Sequence, residues 1–202
     1  MTVAAPTEHE AINIMLAAIG EAPVNSLIGT VPVDVRIAQS TLIEVNKRIQ
    51  SEGWSFNTEI DVTLTRDASN QIALPQNVLR VDANIHQHPT IDPIQRGLKL
   101  YDRLNNKFEF DEDLICTVIY LRTFEEIPEP ARRYINIKAA RVFVDRLVTD
   151  DGLRTYTGQD EVRARAILME TDLATGDHNI VRGDPSLTSV FDTYSPANGL
   201  IR

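Results

Sequence analysis

Residues 38–64, AQSTLIEVNKRIQSEGWSFNTEIDVTL, change hydrophobic period part-way along, and that change decides the fold. Ala38, Leu42, Val45 and Ile49 recur every three to four residues, the apolar stripe of a helix that buries one face. Gly53 interrupts the stripe. Beyond it Ile60, Val62 and Leu64 alternate with Asp61, Thr63 and Thr65, the period-two signature of a half-buried strand. A helix therefore gives way to β structure across Gly53, with the aromatic pair Trp54 and Phe56 at the crossing. An aromatic pair there is expected to anchor the joint between the two parts.

The same two periods order the rest of the chain. Upstream, Thr7-Glu8-His9-Glu10 has the form of a capping box and is followed by Ile12, Met15, Leu16 and Ile19 at helical spacing. Asp34 is expected to cap the second helix. Downstream, Val78, Leu79, Val81, Ala83 and Ile85 predict a strand entered through Pro75. Leu98 and Leu100 are expected to face Phe108 and Phe110 in a hairpin across Asn105-Asn106, and Leu114 to Leu121 reads as the most buried strand. The helical period returns at Pro128, with Ile135, Ala139, Val142, Phe143 and Leu147 on one face and Gly152 as the stop. A fourth helix begins between Thr157 and Glu161, with Val162, Ala166, Met169 and Leu173 as its core positions, and closes at Gly176.

Two helices before a β segment and two after it pack together only if the ends of the segment meet. The expected architecture is mainly α: a four-helix bundle (1–53 and 128–176) interrupted by a small antiparallel β domain (54–127). Residues 177–202 lack a helical stripe but carry Val181, Leu187, Val190, Phe191, Tyr194, Leu200 and Ile201, so they read as an extended C-terminal docking arm. A terminus that wraps its own domain is the plain alternative.

Composition narrows the function. The 202 residues carry 20 Lys+Arg against 29 Asp+Glu, a net charge of -9, which argues against general binding to nucleic acid through its phosphates. A single cysteine, Cys116, precludes an internal disulfide, and it lies in an apolar run where a thiol is usually inert. The first basic residue is Arg36, so the apolar stretch from Ala11 to Ile19 lacks the charged leader of a signal peptide, and the chain is expected in a reducing cytoplasm. No P-loop, G-x-S-x-G, H-E-x-x-H or dinucleotide fingerprint is present, and no cofactor is expected. The enzymatic alternative is a metal-dependent hydrolase. If His86 and His88 lie two apart in a strand they share one face, and Asp82 or Asp92 would add oxygen ligands. The triplet Asp111-Glu112-Asp113 is read as a solvated turn rather than a calcium loop. Arg182-Gly183-Asp184 is read as a turn.

The charge is unevenly divided. Residues 54–127 hold 7 basic and 12 acidic groups, whereas 128–176 hold 8 of each. Within the balanced segment, Arg132, Arg133, Lys138 and Arg141 make the first half of the third helix locally basic, a face suited to the acidic flank of a neighbouring subunit. Ordinary solvated helix surface is the alternative.

Three segments carry a family resemblance. Ile14-Met15-Leu16-Ala17-Ala18-Ile19-Gly20-Glu21-Ala22-Pro23-Val24 resembles the N-terminal signature of the tail tubular protein A family, head-to-tail adaptors of T7-like podoviruses. Ile49 to Asn57 is similar to that family's exit from the helices into a β insertion, and Leu121-Arg122-Thr123-Phe124-Glu125-Glu126-Ile127-Pro128 to its return. The resemblance implies a ring of twelve subunits in the virion, assembled in the host cytoplasm, between the portal protein and a nozzle resembling tail tubular protein B. DNA would pass through the centre without specific binding. It further implies that the helices and the arm, including Phe191, Tyr194, Leu200 and Ile201, face the portal. The β insertion would face the nozzle and the tail fibre protein.

Overall fold

The computed structural model describes residues 6–147 and 158–175. Among them are four helices and five strands in the order α1 (Glu8–Ala18), α2 (Val33–Gln50), β1 (Thr58–Leu64), β2 (Val78–Ala83), β3 (Pro93–Arg96), β4 (Lys99–Asp102), β5 (Leu114–Tyr120), α3 (Glu129–Leu147) and α4 (Gly158–Thr175). The helix–insertion–helix order read from the sequence is the observed one. No helix among the described residues is long and apolar enough to cross a membrane.

α1 begins on a complete capping box: Thr7 Oγ1 accepts from the Glu10 N–H at 3.2 Å, and Glu10 Oε2 accepts from the Thr7 N–H at 2.8 Å. Asn13, the polar interruption in α1, clamps the following loop by donating to Val24 O and accepting from the Val24 N–H. α2 buries the expected Ala38, Leu42, Val45 and Ile49, but its N-cap is Pro32, with no side-chain cap. Asp34 instead sits in the first turn, where its charge favours the helix dipole.

α1, α2 and α3 pack on one another, and α4 lies against α3. Their shared core runs from Ile12 and Met15 through Leu42 and Ile49 to Tyr134 and Phe143. Trp54, Phe124 and Ile127, at the two ends of the insertion, are part of this core. A second core, containing Ile72, Leu100, Phe110, Leu114 and Val118, lies inside the insertion. β5 is the central strand of an antiparallel sheet ordered β1-β5-β2, as its apolar run requires, and β3 and β4 form a separate ribbon.

Four expectations change in detail. Ile60 is exposed, because the β1–β5 register shifts between Glu59 and Val62 and Asp61 takes φ 56°, a bulge that turns Ile60 away from the face holding Val62 and Leu64. β2 ends at Ala83, so Ile85 is an exposed turn residue. The hairpin that contains Leu100 is β3–β4, reversing at Gly97-Leu98, so Leu100 pairs with Gln95. Phe110 still shares the core with Leu100, and the chain also reverses at Asn105-Asn106 under a single Asp102–Lys107 bridge. The buried Asp102 carboxylate organises that turn by accepting from the backbone N–H groups of Asp92, Leu104 and Asn105. Burial alone would raise its pKa, but these bonds and the Asn105 amide outweigh it and hold the group below its ordinary value.

The fourth change concerns α4. Its buried positions are Ala164 and Leu168, while Val162, Ala166, Met169 and Leu173 face outward. Helical period locates an apolar stripe but not the object it faces: α4 meets the core through Ala164 and Leu168, and charged pairs to α3 flank that contact. Gly152, Thr157, Gly176, the Arg182-Gly183-Asp184 turn and the arm residues Phe191, Tyr194, Leu200 and Ile201 lie outside the described residues.

Candidate functional site

The joint between helices and insertion is built from backbone upward. After α2 the chain must reverse within a few residues, and Gly53 does so with φ 81°. A side chain there would be strained by the left-handed conformation and would place its Cβ 2.7 Å from Ile119 Cδ1 on β5. Trp54 then turns inward and donates its indole N–H to Ile49 O at 2.9 Å, while Phe56 packs half-buried on the same core. Gly53, Trp54 and Phe56 thus all stand at the crossing.

Two residues that sequence reasoning missed complete it. Asn57 is fully buried. Its Nδ2 donates to Gln50 O and Tyr120 O, and its Oδ1 accepts from the Trp54 N–H. Gln50, also fully buried, bonds both backbone groups of Arg122. The available signal was an amide at each end of a Gly53 break, next to the buried Ile49 and the strand start. Polar groups taken out of water in that way are tolerated only when every one finds a partner.

α4 is tied to this joint by ion pairs. Arg165 bonds Glu52 at 2.7 Å and Tyr134 Oη at 3.1 Å, with its guanidinium 5.7 Å from the Trp54 ring. Ser55 donates both its N–H and its hydroxyl to Asp172. On the other side of Tyr134, Lys138 donates to the phenol oxygen and to Glu161 at 2.9 Å, and Arg141 pairs with the other Glu161 oxygen. Burial raises the Glu161 pKa, but the two cations outweigh it and hold the carboxyl below its ordinary range.

These contacts divide the basic half of α3. Lys138 and Arg141 are committed to Glu161 within the chain, and Arg132 is half-buried with its Nη1 on Pro6 O. Arg133 alone of the four is exposed.

His86 and His88 do not share a strand face; they lie in the turn after β2. His88 is buried, with Nδ1 2.7 Å from Glu112 Oε1 and Nε2 accepting from the Ile115 N–H at 3.0 Å. Both ring nitrogens are used in joining turn to strand, so the hydrolase candidate loses its second ligand. The acidic triplet is dispersed in the same way: Asp111 pairs with Lys107, Glu112 with His88 and Asp113 with Arg66. No group of three or more His, Cys, Asp or Glu among the described residues is placed to hold a metal. Cys116 is buried, and burial pushes its thiol up to about 12, far from thiolate reactivity at neutral pH.

A helical body and a β lobe are thus joined through the buried amides of Gln50 and Asn57, and the polar groups around that joint are paired within the chain. The chain matches the family described as "Tail tubular protein" over residues 9–178, and it belongs to that family. It is therefore a structural protein of the phage virion tail. No curated protein matches the sequence.

Proposed function

We propose that the chain is the ring-forming head-to-tail adaptor of a short-tailed phage, joining the portal to the tail nozzle and supporting tail fibre attachment. The observation that carries this reading is family membership across residues 9–178, which spans both the helical body and the insertion. In this reading residues 1–53 with 128–176 form the portal-side domain, 54–127 the nozzle- and fibre-side domain, and 177–202 the arm that docks on the portal. The rigid joint at Gly53 and Asn57 supports it, because an adaptor must keep a fixed angle between two partners. The net charge of -9 suits a conduit, since basic groups on the wall would neutralise phosphates and trap passing DNA.

Electron microscopy of the purified protein, alone and with portal, tests the proposal. A closed ring, of twelve copies on the portal, is the expected result; a monomer at high concentration that stays monomeric beside portal would overturn it. Deleting Asp177 to Arg202 is expected to leave the helices folded and weaken portal attachment. DNA should not be retained by the ring at physiological ionic strength.

A further inference from the structure

The outward stripe of α4 is uncovered among the described residues. Val162, Met169 and Leu173 are 69%, 47% and 61% exposed. With Ala166 they fall within about 60° of arc at 100° per residue, the seam spacing of a helix that packs against another helix. Exposed apolar side chains in such a continuous row on a folded protein mark a contact surface. The flank of the row carries exposed Arg163 and Glu170, one charge of each sign. Charge therefore selects neither an acidic nor a basic occupant, and an apolar, nearly neutral one fits best.

A segment of that kind follows α4 directly. Across its whole length the chain after Thr175 has no continuous apolar stripe, but its middle has one. Leu187, Val190, Phe191 and Tyr194 recur at helical spacing, within about 100° of arc, and predict a helix over 185–194. Asp184 and Pro185 stand where an N-cap and a first helical residue belong, and Pro196 stops the run. Asp192, the one charged residue from Pro185 to Tyr194, falls on the side away from the apolar row. A helix this short is marginal alone in water, so it needs an apolar surface to form against.

Length and tether match that segment to α4. A helix over 185–194 is about 15 Å long, and the row from Val162 to Leu173 is about 17 Å. Residues 176–184 connect the two, and that many residues reach up to about 30 Å, ample to reverse direction and cross the roughly 8–10 Å between packed helix axes. Gly176, just past the end of α4, suits the reversal. So short a tether holds the segment beside the stripe at roughly millimolar effective concentration, which a second copy in dilute solution does not approach.

We propose that in the unassembled protein residues 185–194 form a helix packed antiparallel on the Val162–Leu173 stripe of the same chain. The inference goes beyond the adaptor reading and does not depend on it, since it concerns the free chain whether or not the segment later moves to a portal.

The test uses full-length protein without portal. Met169→Cys should react slowly with a maleimide, and adding Leu187→Asp/Phe191→Asp should speed that reaction on the order of tenfold by uncovering the stripe. Cys116 is buried and does not compete. Hydrogen exchange in α1, α2 and α3 should be the same in both proteins, which shows that the body stays folded. In Met169→Cys/Val190→Cys, mild oxidation should give a disulfide within one chain, running as a monomer on a non-reducing gel at every protein concentration. Equal maleimide rates with and without the two aspartates would overturn the proposal. A ladder of cross-linked species that grows with concentration would put the segment on a second copy and likewise overturn it. Absence of rings by electron microscopy would overturn the adaptor reading and leave these labelling results standing, so the two failures are told apart.

Discussion

Gln50 Nε2 donates to the Arg122 carbonyl at 2.9 Å while Gln50 Oε1 accepts from the Arg122 N–H at 2.8 Å, although 72 residues separate the two in sequence. One side chain at the end of α2 thereby holds the returning strand of the insertion by both of its main-chain groups, as a neighbouring strand would. Asn57 does the same for Gln50 O and Tyr120 O from the exit side. The insertion leaves and re-enters the helices through a pair of amides rather than through apolar packing alone.

Gln50→Ala and Asn57→Ala are therefore expected to be costly. Each leaves buried backbone groups without their partners, at about 1–3 kcal/mol per group. Chemical denaturation of each variant should show a midpoint lowered by that order. The two side-chain amides share no partner, Gln50 holding Arg122 while Asn57 holds the main-chain groups of Gln50, Trp54 and Tyr120, so the double variant should lose close to the sum.

Gly53→Ala tests the turn itself. The left-handed φ costs about 1–2 kcal/mol for a residue with a Cβ, and the contact with Ile119 Cδ1 adds to it. Removing that methyl group through Ile119→Val should recover the contact part but not the conformational part. In a double-mutant cycle the two changes should therefore couple favourably, although Ile119→Val alone destabilises by about 0.5–1.5 kcal/mol.

The element order was legible in the sequence because it rests on period, and period is local. Thr7 and Glu10, the stripe on α2 and the run of β5 each report their own structure. What was not legible depends on partners far away. Nothing near Ile60 announces the bulge at Asp61, which answers to the pairing of β1 with β5. The stripe on α4 was readable as apolar, but the side turned inward carries Ala164 and Leu168, next to Glu161, whose two cations lie a full helix earlier on α3. The site followed the same division. Gly53, Trp54 and Phe56 were visible as a break in period, whereas Gln50 and Asn57 take their meaning from Tyr120 and Arg122. The basic run on α3 was visible as charge, and only the fold shows that Lys138 and Arg141 are spent inside the chain.

Acid should loosen α4. The Glu161 carboxyl has a folded pKa below its unfolded value, so its contribution is present above the ordinary carboxylate range and is lost as pH falls through the lowered folded pKa. Hydrogen exchange of the α4 amides should increase over that acidic interval more than exchange in α1. Glu161→Gln should largely abolish that pH response and destabilise the protein at neutral pH by about 1–3 kcal/mol, because it strips a charged partner from both Lys138 and Arg141.

His88 is expected to be a structural residue with a fixed tautomer. Nε2 accepts from the Ile115 N–H, so in the neutral ring the proton sits on Nδ1, facing Glu112. Nitrogen chemical shifts of the ring should report that form at neutral pH. His88→Ala should destabilise the protein by about 1–3 kcal/mol, having left the Ile115 N–H without its acceptor. Added zinc should raise the Tm of neither the wild type nor the variant, whereas a concentration-dependent rise in the wild type alone would return His88 to the list of ligands.

Arg133 separates folding from assembly. It is exposed on α3, whereas Lys138 and Arg141 are bound to Glu161 and Arg132 is half-buried. Arg133→Glu is therefore expected to change stability by no more than about 0.5 kcal/mol, as exposed substitutions commonly do. Arg132→Glu should cost more, because it places a carboxylate where a half-buried guanidinium meets Pro6 O. If the basic half of α3 meets the portal or an acidic neighbour, Arg133→Glu should slow association and flatten its salt dependence while leaving the melting curve in place. Stopped-flow association with portal at two ionic strengths, set beside thermal unfolding, measures both. Unchanged rates at both salt concentrations would show that Arg133 is ordinary solvated surface.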